Sequence, residues 1–154
     1  MTLPPGLRHV IAETRLFTDG RPYVIAGLSA SQLAAASELL LRTQAPFSAL
    51  LYDKDEVTLI IAREVWNPSG LALDVSAISP DYRLITFDLP LDLGLVGYIA
   101  TLTSVVAEQG VSVFPVSAFS RDHILVPADD FERAWDALLN FIQTCRREDR
   151  EPAS

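Results

Sequence analysis

The residues best suited to chemistry in this sequence lie in two short stretches, Leu91–Gly97 and Ser117–His123. Asp92 opens a turn that carries two glycines and leads into an apolar helix. The free backbone amides at a helix N-terminus attract a carboxylate, and glycine lets a ligand approach the backbone closely. Asp92 or Asp122 can pair with an ammonium group. These features favour a binding site for a small zwitterion, such as an amino acid.

Each of these residues also has a structural interpretation. Asp92 and Asp122 suit turns, because an aspartate side chain can bond to its own backbone. Ser117 either lines a pocket or faces solvent from a strand. His123 follows an acid, but a general base needs a substrate proton or a nucleophile within reach. No serine or cysteine motif accompanies it, so a structural histidine is favoured.

The inventory of reactive residues disfavours an enzyme. His9 and His123 are the only histidines and lack metal-ligand spacing, and Cys145 is the only cysteine. The single cysteine excludes an internal disulfide and a cysteine-based metal cluster, and the two histidines form no metal-binding motif. No phosphate loop, cofactor fingerprint or nucleophile motif is present. We predict no catalytic residue, no metal and no cofactor.

Charge and hydropathy limit the partners. The chain has 20 acidic and 12 basic residues among 154 and a net charge of −8. Arg146, Arg147 and Arg150 cluster near the C-terminus among acids, which predicts a solvated, frayed end. Nucleic-acid binding needs a basic surface, so it is not expected. No apolar run has the length of a membrane span and no signal peptide is visible. We therefore expect a cytoplasmic protein without a membrane partner.

In the first half, residues 1–8 are predicted to be irregular. Residues Val10–Phe17 are expected to form a hairpin with the following strand through the turn Thr18–Arg21. The elements predicted after this turn are a strand at Tyr23–Leu28, a helix at Ser31–Arg42, and strands at Phe47–Asp53 and Val57–Ala62. The nearly continuous apolar run of the last strand predicts a central, covered position.

The second half repeats this order. Its predicted elements are a strand at Arg83–Leu89, a helix at Gly97–Gln109 ended by Gly110, strands at Val111–Ala118 and His123–Val126, and a closing helix with the stripe Phe131, Trp135, Leu138 and Ile142. The repeat predicts an α+β protein of two tandem ferredoxin-like βαββαβ domains, with antiparallel sheets and helices on one face. We place the domains at residues 1–70 and 71–146, followed by a disordered tail at 147–154.

The second half resembles the ACT domain, and more closely the ACT domains of the CASTOR-type arginine sensors and small tandem-ACT proteins. The resemblance rests on these segments: Leu91–Gly97 and the helix after it, Gln109–Phe114, Val116–Phe119 and Asp122–Pro127. It implies a non-catalytic sensor that holds an amino acid at the interface between its ACT-like domains. The first half resembles a divergent companion domain in element order.

The ligand-contacting segments of that family correspond here to the first strand-to-helix turn and the end of the second strand. The resemblance therefore implies a ligand site made of Asp92, Leu93, Gly94, Leu95, Val96, Gly97, Ser117, Ala118, Phe119 and Asp122. Two positions depart from the arginine sensors. Their acidic residue before the helix is replaced around Leu95–Val96, and their threonine after Ser117 is Ala118. Both changes remove polar contacts and argue against arginine as the ligand.

Three alternatives to an amino-acid sensor remain open. The first is an assembly or adaptor module whose pocket has decayed, which the apolar edge at Val111–Val116 also supports. The second is an enzyme that uses Asp122 and His123, and the third is a ferredoxin-like RNA-binding module. The last needs sheet-face aromatic residues and a basic surface, and this chain is acidic. Under the sensor and adaptor hypotheses we expect a homodimer, because exposed sheet edges need cover.

Overall fold

The computed structural model describes residues 3–66 and 73–150. Along the chain its elements are α1 (Pro5–Glu13), β1 (Leu16–Phe17), β2 (Pro22–Ser29), α2 (Leu33–Leu40), β3 (Ala49–Tyr52), β4 (Glu56–Ala62), α3 (Arg63–Trp66), β5 (Val75–Ile78), β6 (Tyr82–Phe87), α4 (Tyr98–Ala107), β7 (Phe114–Ser117), β8 (Asp122–Pro127) and α5 (Phe131–Arg150). Every pairing with a described register is antiparallel. The predicted α+β class with antiparallel pairing is confirmed.

The chain divides into two compact units. The inserted unit comprises residues 19–84, and the outer unit comprises the residues up to 18 together with those from 85 onward. This division differs from the predicted one, because the N-terminal segment packs with the second half of the chain. The predicted boundary between residues 70 and 71 lies outside the described residues.

In the inserted unit, β4 lies between β3 and β2. Val57, Leu59 and Ile61 share one face of the strand and pack in a core with α2, while Ile60 and Ala62 on the other face are also fully buried. Alternate residues of a strand point to opposite faces, so a strand buried on both faces has few polar positions. The predicted central, covered position of Val57–Ala62 is confirmed.

In the outer unit, the core lies between three helices and one face of the sheet. Ile85 and Phe87 of β6 share this face with Ile124 and Val126 of β8, because each pair is two residues apart. The helical residues of this core are Leu7, Ile11 and Ala12 of α1, Tyr98, Leu102 and Val106 of α4, and Phe131, Ala134, Leu138, Ile142 and Cys145 of α5. The predicted stripe of the closing helix therefore faces this core, with Trp135 partly buried against it.

The expectation of an irregular N-terminus and a hairpin was wrong. The helix α1 begins at Pro5, where the missing N–H of proline costs nothing because the first amides of a helix have no helical partner. Its buried residues Leu7 and Ile11 are four apart, the spacing of one helical face. Leu16 then pairs with Phe87 of β6 instead of with β2.

The expectation of a frayed, disordered end was also wrong as far as Arg150. The helix α5 continues to that residue, and residues 151–154 lie outside the described part. Arg146 is half-buried and donates from Nε to the carbonyl of Ala12 and from Nη2 to that of Thr14, both at 2.7 Å. These carbonyls lie at the C-terminal end of α1, where helical acceptors lack partners. Arg146 is therefore a structural residue of the outer unit.

Candidate functional site

A cavity of about 230 Å³ opens where the loop before α4 faces the turn between β7 and β8. Its lining comes from the loop (Leu91, Asp92, Leu93 and Leu95), the first turn of α4 with the residue before it (Gly97, Tyr98, Ile99 and Ala100), and the turn after β7 (residues 117–122). All of these residues belong to the outer unit.

Backbone hydrogen bonds hold the two loops against each other. The N–H of Leu91 donates to the carbonyl of Ser120 at 2.8 Å, which joins the loop to the turn. Ser117 and Asp122 are opposite each other in the β7–β8 pair. One step further on, the N–H of Ala118 donates to the carbonyl of Arg121 at 2.8 Å. The tip of the turn therefore presents its side chains at the mouth of the cavity.

Asp92 builds the loop that contains it. Its Oδ1 accepts the N–H of Gly94 at 2.7 Å, and its carbonyl accepts the N–H of Leu95 at 3.1 Å. A Cβ at position 94 would lie only 3.1 Å from Asp92 Oδ1, so glycine keeps this turn tight. The structural interpretation of Asp92 as a turn residue is therefore met, and its exposed carboxylate also reaches the cavity.

Gly97 sets the start of α4. Its φ of 88° lies in the left-handed region, which L side chains adopt only at a cost. Its carbonyl accepts the N–H of Thr101 at 3.0 Å, the first bond of the helix. The amides of the first turn lack helical partners, and the residues that carry them, Tyr98, Ile99 and Ala100, line the cavity. The positive end of the helix dipole therefore faces the cavity.

Tyr98 forms a fixed wall of the cavity. Its hydroxyl lies 2.7 Å from Thr14 Oγ1, which itself donates to the carbonyl of Val10 at 3.1 Å. Because the Thr14 hydroxyl donates its proton to Val10, the Tyr98 hydroxyl is the donor in its bond with Thr14. Burial raises the pKa of Tyr98 to about 12, and its ring meets Phe87 edge-to-face at 6.0 Å. Tyr98 is thus a neutral group whose only proton is already donated.

Three charged side chains line the cavity: Asp92, Arg121 and Asp122. Arg121 Nε donates to Asp88 Oδ1 at 3.0 Å. Asp122 is half-buried, and its charge contributes to raising the pKa of Tyr98. Within the described residues, the carboxylate of Asp122 accepts no hydrogen bond. The cavity therefore offers an available carboxylate next to a guanidinium.

His123 does not line the cavity. Its Nδ1 lies 2.9 Å from Thr86 Oγ1, and burial lowers the pKa of its imidazole, while the charge of Asp122 partly opposes that shift. The side chain is therefore neutral near pH 7 and bonded within the sheet. This geometry matches the structural interpretation of His123.

The structure brings together eight of the ten residues predicted to bind a ligand. Asp92, Leu93, Leu95, Gly97, Ser117, Ala118, Phe119 and Asp122 line the cavity, whereas Gly94 and Val96 do not. Leu91, Ser120 and Arg121 also line the cavity; they lie in the two predicted stretches but were not named as ligand-binding residues. The lining residues outside those stretches are Tyr98, Ile99 and Ala100. Two features of the sequence could have identified these additional residues: residues 98–100 begin the predicted helix, and Ser120 and Arg121 lie in the turn before Asp122. A ligand-binding role for any of these residues stays a prediction.

Neither a metal-binding cluster nor a membrane-spanning helix is found in the described residues. Between residues 3 and 150, outside the gap at 67–72, no three histidine, cysteine or acidic side chains are grouped so that they could hold a metal ion. In the same part of the chain, none of the helices combines the length and the apolar character that crossing a membrane requires. The buried Cys145 has a raised pKa because burial disfavours its thiolate.

The second half of the chain matches a protein family. Residues 77–140 match the ACT domain. This stretch contains the whole cavity, and the match confirms the predicted resemblance of the second half to that domain. No curated protein matches the chain.

Solved structures resemble the chain over most of its length. A protein from Agobacterium tumefaciens is 26% identical, with a TM-score of 0.66 over 83% of this chain and 88% of that one. A Vibrio cholerae protein of unknown function, described as a possible transport protein, is 24% identical, with a TM-score of 0.67 over 88% and 95%. The ligand-free regulatory subunit of aspartate kinase from Thermus thermophilus is 15% identical, with a TM-score of 0.57 over 83% and 97%. These likenesses show the fold.

Proposed function

We propose that the chain is a non-catalytic regulatory protein that binds an amino acid, or a similar small zwitterion, in the cavity at the start of α4. The observation that carries the proposal is the opposition of charges within one cavity. The residues of the first turn of α4, whose amides lack helical partners, line the cavity together with Asp92 and Asp122. A zwitterion satisfies both, because its carboxylate suits the amides and its ammonium group suits an aspartate.

The comparisons support the same class of function. ACT domains are regulatory domains that bind amino acids, and one structural neighbour is the regulatory subunit of aspartate kinase. Leu91, Leu95 and Ile99 add apolar lining, which suits an aliphatic portion of a ligand. The absence of a polar side chain at Leu95 and Ala118 argues against arginine. Ligand placement at a domain interface, a tandem CASTOR-type arrangement, a homodimer and a cytoplasmic location stay predictions.

The first test is a thermal-shift screen of the common L-amino acids at millimolar concentration. A ligand that binds only the folded chain stabilises it by mass action, by about 2.7 kcal/mol at a hundred times its Kd. For a chain of this size such stabilisation raises the Tm by roughly 5–10 °C. We expect one amino acid, or a group of similar ones, to give a shift of this kind.

Variants of the two aspartates locate the bound molecule. We expect Asp92→Ala to abolish the shift, although it also removes the bond to Gly94 that builds the loop. Asp92→Asn is the sharper variant, because an asparagine oxygen can still accept that bond while the charge is lost. Asp122→Asn removes the charge of a carboxylate that has no protein partner among the described residues. Asp136→Asn, on the exposed face of α5 and outside the cavity, is the matched control.

The screen can contradict the proposal in two ways. No shift with any amino acid would count against an amino-acid sensor. A shift that Asp92→Asn and Asp122→Asn both leave unchanged would place the bound molecule outside this cavity.

An adaptor module is the second candidate, and exposed apolar side chains near the cavity favour it. Leu93, Val96 and Phe119 are 71%, 85% and 81% exposed. Large apolar side chains grouped on a surface often mark a protein interface. For an adaptor we expect a concentration-dependent mass in sedimentation, or a co-purifying protein, that Val96→Ser and Phe119→Ser abolish. A mass that stays monomeric at every concentration, without a co-purifying protein, would contradict it.

A further inference from the structure

Arg121 has hydrogen-bond donors that its ion pair with Asp88 does not occupy. We infer that Arg121 binds the carboxylate of the amino acid and that Asp88 positions the guanidinium for this contact. The inference rests on the proposed function, because it concerns the same cavity. The inference adds a requirement to the proposed function: the bound molecule must have a free carboxylate, which a side chain recognises as well as the backbone amides.

The guanidinium of Arg121 is bonded at Nε and leaves its terminal nitrogens available. Its Nε donates to Asp88 Oδ1 at 3.0 Å. Within the described residues, its two terminal nitrogens have no hydrogen-bond partner. Those nitrogens form a planar pair of donors that matches the two oxygens of a carboxylate. Asp88 is not among the residues that line the cavity, whereas Arg121 is. The acid therefore holds the arginine from outside the cavity.

The positions of the other charges give the bound molecule one orientation. Arg121 and the first turn of α4 both line the cavity and both attract an anion. Asp122 follows Arg121 in the chain and also lines the cavity with an unbonded carboxylate. An α-amino acid places its carboxylate and its ammonium group on one carbon. Neighbouring sites of opposite charge at Arg121 and Asp122 are therefore complementary to its main chain.

Stability alone does not account for the pair. The side chains of Arg121 and Asp88 are 40% and 51% exposed, and exposed ion pairs contribute little to folding. Arg133 and Asp130 form a comparable pair, at 53% and 31% exposure, on the surface and away from the cavity. That pair provides the control, because its loss changes the same charge without touching the site.

Isothermal titration calorimetry tests the inference with two probes. One is the L-amino acid that gives the largest thermal shift, and the other is its α-amide, which lacks the carboxylate charge. For the wild-type chain we expect the amide to bind at least roughly ten-fold more weakly than the acid. Arg121→Met should weaken binding of the acid by roughly ten- to a hundred-fold, the loss expected for hydrogen bonds to a charged group. Arg133→Met should leave it unchanged.

Three further variants separate contact from positioning. Arg121→Lys keeps the charge but loses the planar fork, so its affinity should fall between those of the wild type and Arg121→Met. Asp88→Ala should weaken binding, and Asp88→Asn should restore part of the loss, because the asparagine oxygen still accepts from Nε. Urea midpoints close to that of the wild type in the four variants of Arg121 and Asp88 show that the losses arise in binding and not in folding.

The outcomes distinguish this inference from the proposed function. If no amino acid binds the wild-type chain, the proposed function is overturned and the inference with it. If an amino acid binds and Asp122→Asn weakens it, but Arg121→Met binds as tightly as the wild type, only the inference is overturned. Equal binding of the acid and its amide would overturn it as well.

Discussion

The hydrogen bond between Tyr98 and Thr14 allows a direct test of how the wall of the cavity is built. The three variants are Tyr98→Phe, Thr14→Val and the double variant. Phenylalanine keeps the ring that meets Phe87 edge-to-face. Valine keeps the shape of threonine, and the extended backbone of Thr14, with ψ of 137°, suits a β-branched residue.

The expected magnitudes follow from which atoms lose a partner. Tyr98→Phe removes one buried hydrogen bond of 2.7 Å, while Thr14 still donates to Val10, so the free energy of unfolding should fall by about 1 kcal/mol. Thr14→Val leaves the buried Tyr98 hydroxyl without an acceptor and also removes the bond to the Val10 carbonyl, so it should lower the free energy of unfolding by about 1–3 kcal/mol. In the double variant no Tyr98 hydroxyl is left without an acceptor, and the lost bond to Val10 is common to Thr14→Val and the double variant. The loss should therefore be smaller than the sum by about 1–2 kcal/mol.

Urea denaturation followed by tryptophan fluorescence measures these differences. The chain has two tryptophans, Trp66 in the inserted unit and Trp135 in the outer unit. A Trp66→Phe background makes fluorescence report on the outer unit alone, where Trp135 stacks on Phe131. Equal slopes of free energy against urea among the variants establish that their differences are differences in stability. Strictly additive losses would refute the bond between Tyr98 and Thr14.

Other consequences of the structure can be checked with single variants. Arg146→Met should lower the free energy of unfolding by about 1.5–3 kcal/mol, because two bonds to carbonyls from a charged group are lost, and an unchanged urea midpoint would contradict its structural role. Gly97→Ala should cost about 1–2 kcal/mol since φ is 88° there, whereas Gly6→Ala in α1, with open space around it, should be neutral or stabilising; equal effects would refute the left-handed turn. NMR titration of the ring protons should give His9 a pKa above 6.5, because it bonds to a carboxylate, and His123 a pKa below 6.5, because it is buried. The stability that His9 contributes should therefore be lost as pH rises through its raised pKa, and that of His123 as pH falls below 6.5; two histidines titrating together would contradict both environments.

Local patterns predicted the parts of the fold that depend on neighbours in sequence. Gly110 ends α4 with φ of 72°, because glycine tolerates the left-handed conformation at a helix end. Asp19 and Gly20 have the local features expected of them, with Gly20 at φ of 75° and the N–H of Arg21 bonded to Asp19, although the hairpin predicted around them does not form. The run Val57–Ala62 forms a central strand, as its nearly continuous apolar sequence predicted, and all its residues except Thr58 are buried.

Errors arose where a residue pairs with a distant part of the chain. The proline and glycine at positions 5 and 6 suggested an irregular start, although proline is favoured in the first turn of a helix. The pairing of Leu16 with Phe87, and the bonds from Arg146 to the end of α1, join segments far apart in sequence. No local pattern encodes such pairings, so the N-terminal segment was placed with the wrong half.

The site was predictable in position but incomplete in composition. The family resemblance identified both loops because each loop is a short continuous segment of the sequence. Arg121 lies inside the predicted stretch Ser117–His123 but was not named as a ligand-binding residue, since its importance depends on Asp88, which holds its guanidinium. Tyr98 was missed because its hydroxyl partner is Thr14, on the segment before the inserted unit. Val96 lies in the right loop but is 85% exposed and outside the cavity.

The most direct test of the central claim is a titration of the ¹⁵N-labelled chain with the common L-amino acids, followed by backbone amide chemical shifts. We predict that at least one amino acid produces saturable shifts concentrated at residues 91–100 and 117–122, with the largest changes in the first turn of α4. Asp122→Asn should weaken this response, and Asp136→Asn should not. A chain that shows no saturable shift with any amino acid at millimolar concentration, or shifts centred elsewhere, would contradict the account.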